Sequence, residues 1–362
     1  MSADTHVVQV GQLRVRTAKS GSERALVVTL GTPHDKPWWW RHLGSDKELC
    51  SLEYERLVFK GKRSQDISTL DLPRVMLLVL RRLISWRRNY DYIFTFECDL
   101  VGFCIAFWQS IFRWKKPKHV ILQFIMREQQ ENWSSRLKYA LMRFIFSSVY
   151  RVVVSSKPEL EYYREVFRWP YQKLVFVPFH TTPEFLERGL PAEDDYIIAA
   201  GRSFRDYGTL ADALRNTGIQ AIIVGGNGTA REFAGIEKIR VLENISATEL
   251  DDLIMRARAV VVPLQDRKIS IGQSVILQAM AMGKAVIATE TAGTVDYIRN
   301  METGILVPPG DIPAMKRALS LIDDPDLRQR LGKSARAQVA SAHLPHHYSK
   351  NIRTAISVAA ED

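Results

Sequence analysis

Residues 260–311 constrain the fold of this chain more than any other stretch. An apolar β-branched run, Val260-Val261-Val262, closes at Pro263 and reads as a buried parallel strand. A polar loop follows, and Gly272-Gln273-Ser274 then leads into residues 275–282, a short helix stopped by Gly283. Residues 285–289 form the next strand. Ala292-Gly293-Thr294 opens a second helix through Asp296 and Ile298, and Ile305-Leu306-Val307 is a third strand. The segment ends in Pro308-Pro309-Gly310-Asp311, which places Asp311 to cap a following helix. Repetition of strand, loop and helix start sets unpaired backbone N–H groups and positive helix ends along the carboxyl edge of a parallel sheet. Such an edge suits the phosphates of a nucleotide diphosphate.

The same alternation runs through the rest of the chain. Residues 7–15, 25–30, 90–96, 120–125, 152–156 and 174–178 read as strands. Residues 73–88 (with proline at the start), 100–112, 135–151 and 159–167 read as helices between them. This is the pattern of a doubly wound parallel sheet. The acid-rich stretch 187–195, with Gly189 and Pro191, reads as a linker. Beyond it, residues 196–200, 221–224 and 239–243 are strands, and Ser246 caps a helix that runs to residue 257. The expected architecture is α/β with two Rossmann-like domains, residues 1–185 and 195–344. Residues 345–362 form a terminal helix packing back toward the first domain.

Length and composition agree with two soluble domains: 362 residues, 46% hydrophobic and 25% charged. Cys50, Cys98 and Cys104 are odd in number and unevenly spaced, which gives no disulfide framework and points to a reducing, cytoplasmic setting. The first residues lack the basic-then-apolar pattern of a signal peptide. The apolar run 100–112 is too short to span a bilayer. Charge is uneven: residues 1–180 hold 29 Lys+Arg against 17 Asp+Glu, and the remainder holds 21 against 23. The basic half therefore calls for an anionic partner. Without a helix-turn-helix, zinc or RNP-like pattern, nucleic acid is set aside. The basic, aromatic helices 73–88 and 135–151 suit an anionic bilayer, with arginines reaching headgroups. Trp38-Trp39-Trp40 reads either as core filler or as an aromatic platform for a sugar or lipid acceptor.

Gln278-Ala279-Met280-Ala281-Met282-Gly283-Lys284 and the run from Thr303-Gly304 to Asp311 resemble the donor-binding segment of GT-B glycosyltransferases, especially family 4. There a Glu-x7-Glu pattern precedes "AMA-x-GKPVIAT", and "TG-LVPPGD" follows. The two glutamate positions fall here on Ser270 and Gln278. In the family the second glutamate holds the donor's ribose hydroxyls and the first contacts the sugar. Gln278 keeps an amide able to bond a ribose, whereas Ser270 is short and uncharged. The resemblance implies a GT-B fold, two Rossmann-like domains facing across a cleft. It implies transfer of a sugar from a nucleoside-diphosphate sugar, of the UDP or GDP type, to an acceptor hydroxyl without a metal. A lipid-linked or cell-surface glycan at the inner membrane face is the acceptor expected by analogy.

Candidate residues follow from both lines of reasoning. A strand running into Gly201-Arg202 places a guanidinium where it can grip a diphosphate, the role of the Gly-Arg arginine in the resembling family. The lysine usual six residues after that glycine is Tyr207 here, leaving Arg205 or Lys268 to supply a second charge. Gly226, within Gly225-Gly226-Asn227-Gly228, lets the backbone approach a phosphate. Asn244 and Ile245 stand where the family seats the base. Gly272, Gln273 and Ser274 present free N–H groups to the distal phosphate and leaving group. For the acceptor, a carboxylate base is required if the reaction inverts. Glu97, Asp99 and Glu128 lie at the carboxyl ends of first-domain strands and are the candidates; no histidine follows the strand at 120–125, and His180 sits at the inter-domain junction. No cluster has metal-ligand spacing. Two other readings stay open: a nucleotide-sugar 2-epimerase of the same fold, and a nucleotide-sugar-binding protein that has lost catalysis with the two glutamates.

Overall fold

The computed structural model describes residues 24–30, 51–57, 71–97, 99–188 and 193–357. The expected strand at 7–15, Trp38-Trp39-Trp40 and the middle of the linker lie outside the described residues. The chain divides into two units: Met1–Ser155, Leu160–Val177 and Ser349–Asp362 form the first, and Ser156–Glu159 with Pro178–Tyr348 form the second.

The first unit holds strands β1 (Arg24–Leu30), β2 (Ser51–Leu57), β3 (Tyr92–Phe96), β4 (Lys118–Leu122), β5 (Arg151–Val154) and β6 (Leu174–Phe176). They lie side by side in the order β2-β1-β3-β4-β5-β6, every pair parallel. Central strands are buried on both faces, as continuous runs such as Val152-Val153-Val154 require. Between strands run α1 (Leu72–Asn89), α2 (Leu100–Ile111), α3 (Trp133–Ile145) and α4 (Lys157–Phe167). Helix α1 starts with proline in its first turn and buries Val75, Val79, Leu83 and Trp86, a stripe at helical spacing. That stripe packs with Leu26, Val28, Ile93 and Ile105 into one core. A second, aromatic cluster gathers on Phe124, with Phe146, Tyr163, Phe167 and Trp169 around it.

Two boundaries differ from expectation for visible reasons. The helix expected to run to residue 151 leaves α-geometry after Ile145 and closes in a single tight turn, Phe146–Ser148. The buried Lys173 ammonium takes over there, donating to the carbonyls of Phe146 at 2.6 Å and Ser147 at 3.0 Å. Strand β4 ends at Leu122 instead of 125, because Gln123 turns into the left-handed region (φ 52).

The second unit holds β7 (Ile197–Ala200), β8 (Ala221–Gly225), β9 (Ile239–Glu243), β10 (Ala259–Val262), β11 (Ala285–Thr289) and β12 (Ile305–Val307). Their order is β12-β11-β10-β7-β8-β9, again all parallel. The chain winds outward from β7 through β9, then returns to the other side of β7, so the winding reverses between β7 and β10. In sheets of this kind ligands bind outside the carboxyl ends at that reversal. The helices are α5 (Glu184–Glu187), α6 (Tyr207–Leu214), α7 (Thr229–Glu232), α8 (Ala247–Arg256), α9 (Gln273–Ala281), α10 (Ile312–Leu321) and α11 (Pro325–Ala342). Ser246 and Asp311 cap α8 and α10 as their sequence positions predict, accepting from the N–H groups of Glu249 (3.1 Å) and Ala314 (2.8 Å). The helix expected at 292–298 is instead a chain of turns. Thr294 Oγ1 accepts from the Thr291 N–H at 2.8 Å and donates to the Thr289 carbonyl at 2.7 Å, which holds the segment in turns.

The last helix, α12 (Pro345–Ser357), ends within the first unit. There Arg151 Nε donates to the Ala355 carbonyl at 3.4 Å.

Candidate functional site

Because all six strands of the second unit are parallel, the segments following β7, β8, β9, β10 and β11 share one sheet edge. Arg202 is exposed on that edge beside Gly226: a Cβ added to Gly226 would stand 3.8 Å from Arg202 Cγ. The turns after β7 and β8 are therefore in contact, with a guanidinium beside a stretch of backbone that carries no side chain. Tyr207 stands where the resembling family has lysine. Its hydroxyl lies 2.8 Å from the Gly201 carbonyl and 3.2 Å from that of Val224, tying together the ends of β7 and β8. Burial pushes this phenol up to about 12, so it is a neutral strut.

Arg205 departs from its expected role. Its Nε donates to the Ala200 carbonyl and its Nη1 to that of Ser203, both at 3.0 Å. The guanidinium is folded against Gly201, where any Cβ would overlap it, and burial lowers its pKa. Arg205 holds the turn that presents Arg202 and is not extended toward a ligand.

The loop after β10 delivers the start of α9. Gly272 takes φ 89, a left-handed conformation that glycine adopts without the Cβ penalty, and no side chain caps the helix. Ser274 is exposed in the first turn, next to Gln273, whose buried side-chain Nε2 has no hydrogen-bond partner. Gly293 closes over this amide: an added Cβ would be 3.1 Å from Gln273 Nε2 and 2.6 Å from the Ile271 nitrogen. An uncapped helix start and an unsatisfied amide N–H together form a donor set that calls for an anionic or carbonyl oxygen.

The two positions of the replaced glutamates have different fates. Ser270 is fully buried, its N–H donating to Glu159 Oε1 at 3.0 Å and its hydroxyl 2.9 Å from that of Ser156. A carboxylate thus stands beside this loop although position 270 no longer supplies one. The Gln278 amide N–H, expected to face a ribose, donates instead to Asp251 Oδ1 on α8. Asp251 also lies 3.5 Å from the Arg188 guanidinium. Burial raises the Asp251 carboxyl, and Arg188 and Gln278 offset part of that rise. Asn244 is exposed in the left-handed region (φ 57) at the end of β9, followed by the half-buried Ile245. Glu159 and Asp251 carry no signal in the sequence, since one lies 111 residues from its partner and the other on an ordinary amphipathic helix.

In the first unit the three acidic candidates lie at the carboxyl ends of β3 and β4. Glu97 is exposed with φ 53, an uncommon conformation for a residue with a side chain. Asp99 is half-buried and caps α2, accepting from the Gly102 N–H at 2.6 Å. Its carboxyl is pushed up to about 7, first by burial and further by Glu97, against the pull of the Gly102 N–H. Glu128 is half-buried on a loop pinned by three phenols. Tyr163 accepts from the Met126 N–H (2.7 Å), Tyr162 from that of Gln129 (2.7 Å), and Tyr139 donates to the Arg127 carbonyl. His180 is buried in the second unit against the Tyr348 ring, 4.7 Å between centroids. Among the described residues no three His, Cys, Asp or Glu side chains group as a metal site, and no helix is long and apolar enough to cross a membrane.

Residues 207–324 match the family model described as Glycosyl transferases group 1. Among curated proteins, the α-D-kanosaminyltransferase of Streptomyces kanamyceticus is 29% identical over 148 residues, 38% of each chain. The D-rhamnosyltransferase WbpZ of Pseudomonas aeruginosa is 28% identical over 149 residues, 39% of each chain. The matched segments thus span about two fifths of these relatives. Among solved structures, sucrose-phosphate synthase from Thermosynechococcus elongatus superposes with a TM-score of 0.70 at 18% identity, over 92% of this chain and 98% of that one. Anabaena HepE in complex with UDP and glucose gives 0.69 at 13% identity, over 93% and 100%. This chain has the GT-B glycosyltransferase fold, and its second unit carries a segment that matches the glycosyl transferases group 1 model.

Proposed function

We propose that the chain transfers a sugar from a nucleoside-diphosphate sugar to an acceptor hydroxyl. The observation that carries this reading is the donor set at the winding reversal of the second unit: the uncapped start of α9 and the buried, unpartnered Gln273 amide. In this reading Arg202, beside Gly226 on the same sheet edge, takes the diphosphate, and Asn244 and Ile245 seat the base. The positive end of α9 takes up charge on the departing phosphate, so a resident metal is not required for that step. A UDP sugar is the first donor to test, because HepE is described in complex with UDP and glucose.

The first unit takes the acceptor, a lipid-linked or cell-surface glycan, at the inner face of an anionic membrane, a role suited to polysaccharide assembly. Its basic excess supports this part. For an inverting transfer, Asp99 is the base we favour among the acids on its sheet edge, because a carboxyl pushed up to about 7 can accept a proton at working pH.

Calorimetric titration with UDP, GDP and UDP-glucose tests the donor side. Arg202→Ala is expected to weaken nucleotide affinity by about ten- to a hundredfold, the loss of a charge-assisted contact. Unchanged affinity would remove Arg202 from the site, and no binding of any nucleotide by the unaltered protein would overturn the reading. A second reading, a binding protein without catalysis, is favoured by Ser270 being buried and fully engaged. Release of nucleotide diphosphate from bound donor excludes it.

A further inference from the structure

Helix α3 carries an apolar face that none of the described residues covers. Trp133 is 78% exposed, Leu137 63%, Leu141 53% and Phe144 51%, and only Tyr139 and Ile145 of the helix are buried. At about 100° per residue the four exposed side chains fall within roughly 80° of the helix circumference. Arg136 and Arg143 flank that arc on one side and Lys138 on the other, all exposed, and the helix contains no acidic residue. The basic helix α1 differs, because it turns its main apolar stripe inward and exposes only Leu77 and Ile84 among its large apolar side chains.

A cavity of about 450 Å³ lies directly beside the stripe, lined by Gln129, Arg136, Tyr139, Arg143, Glu165 and Arg168. It presents three guanidinium groups against one carboxylate. None of the three arginines forms an ion pair with a described residue.

We propose that α3 lies in the plane of an anionic bilayer, and that the cavity bounded by Arg136, Arg143 and Arg168 binds the phosphate of one lipid headgroup. The inference rests on the membrane-facing part of the proposed function and assigns it to one helix and one site. Two features select a lipid surface as the occupant. An uninterrupted apolar arc with cations on both borders matches the layering of acyl chains beneath phosphates, and the indole at the helix start sits at the depth tryptophan prefers. The planar fork of arginine also matches a phosphate in two-point geometry, so a cavity with three of them favours that group over a zwitterionic surface.

Sedimentation of the full-length protein with vesicles of phosphatidylcholine, alone or mixed equally with phosphatidylglycerol, tests the assignment. The unaltered protein is expected to bind the mixed vesicles and to bind pure phosphatidylcholine far more weakly. Leu137→Ser with Leu141→Ser should lower binding to the mixed vesicles by at least about tenfold. Arg136→Gln, Arg143→Gln and Arg168→Gln together should lower it by about a hundredfold, roughly fivefold per arginine, and remove the preference for the anionic lipid. A charge-matched control, Arg81→Gln, Arg88→Gln and Arg113→Gln, should change binding by less than about threefold. Circular dichroism of each variant shows whether the fold is retained. Binding by the unaltered protein that the α3 variants leave intact would overturn this site while leaving the membrane reading in place. A control that loses as much as the α3 triple variant would move the contact to α1 and the end of α2 and overturn the site. Failure of the unaltered protein to bind any vesicle would overturn both, with the nucleotide titrations above deciding the donor side separately.

Discussion

Asp99 is poised by its surroundings, and its two duties separate by pH. Burial raises its carboxyl from 3.8 to about 7, so the folded chain keeps a proton that the unfolded chain releases above about pH 4. Folding stability should therefore fall as pH rises from about 4 to about 7 and then level off. Asp99→Asn keeps a capping side chain but has no proton to lose. It should match the unaltered protein at pH 4 and exceed it at pH 8 by roughly 1–2 kcal/mol, discounted because the side chain keeps some contact with solvent. Urea unfolding at the two pH values measures this difference. If Asp99 is also the base, the same variant should lose about a hundred- to ten-thousandfold in kcat and the rise of rate through pH 7. A stability change without a rate change would leave Asp99 a cap alone. The place of Asp99 at the end of β3 is legible in the sequence, whereas its raised pKa depends on its burial in the folded chain. The place of Gln278 on its helix is legible too, but its partner Asp251 is not, because the hydrogen bond between them joins two helices whose packing has no local pattern.

At the scale of elements, the start of α9 depends on a close approach that one methyl group would prevent. Gly293 lies so near the backbone of Ile271 that a Cβ would overlap its carbonyl oxygen and come within 2.6 Å of its nitrogen. Gly293→Ala should displace the 270–274 loop, weaken nucleotide binding by at least about tenfold and cost about 1–3 kcal/mol in stability. Calorimetry and thermal unfolding check the two effects. Alanine tolerated with unchanged affinity would show that the loop can give way. Most elements were legible in the sequence, because β-branched runs such as Val260-Val261-Val262 and caps such as Ser246 and Asp311 act locally. The miss at 292–298 has a local cause as well: Thr294 supplies its hydroxyl to the backbone of Thr289 and Thr291, an alternative to helical pairing that a helical spacing of apolar residues does not reveal. The helix end at Ile145 had no nearby signal, since Lys173, which satisfies the following carbonyls, lies beyond the next strand and helix.

At the scale of the whole molecule, each unit has its own sheet and its own buried core. Calorimetric unfolding should accordingly resolve two transitions, and saturating UDP should raise only the one belonging to the second unit, by RT ln(1 + [L]/Kd) in free energy. A single transition that moves as a whole would show the units to be thermodynamically coupled. The units are nevertheless not continuous in sequence. Ser156–Glu159 group with residues more than a hundred positions downstream, where Glu159 and Ser156 engage the amide and hydroxyl of Ser270. A chimera spliced at Val177 and Pro178 would separate that serine from the carboxylate matched to it, stranding a buried polar amide in the transplanted half. Exchange of whole halves between relatives would therefore succeed only where the short upstream piece travels with its downstream body, which makes this boundary a poor crossing point for recombination.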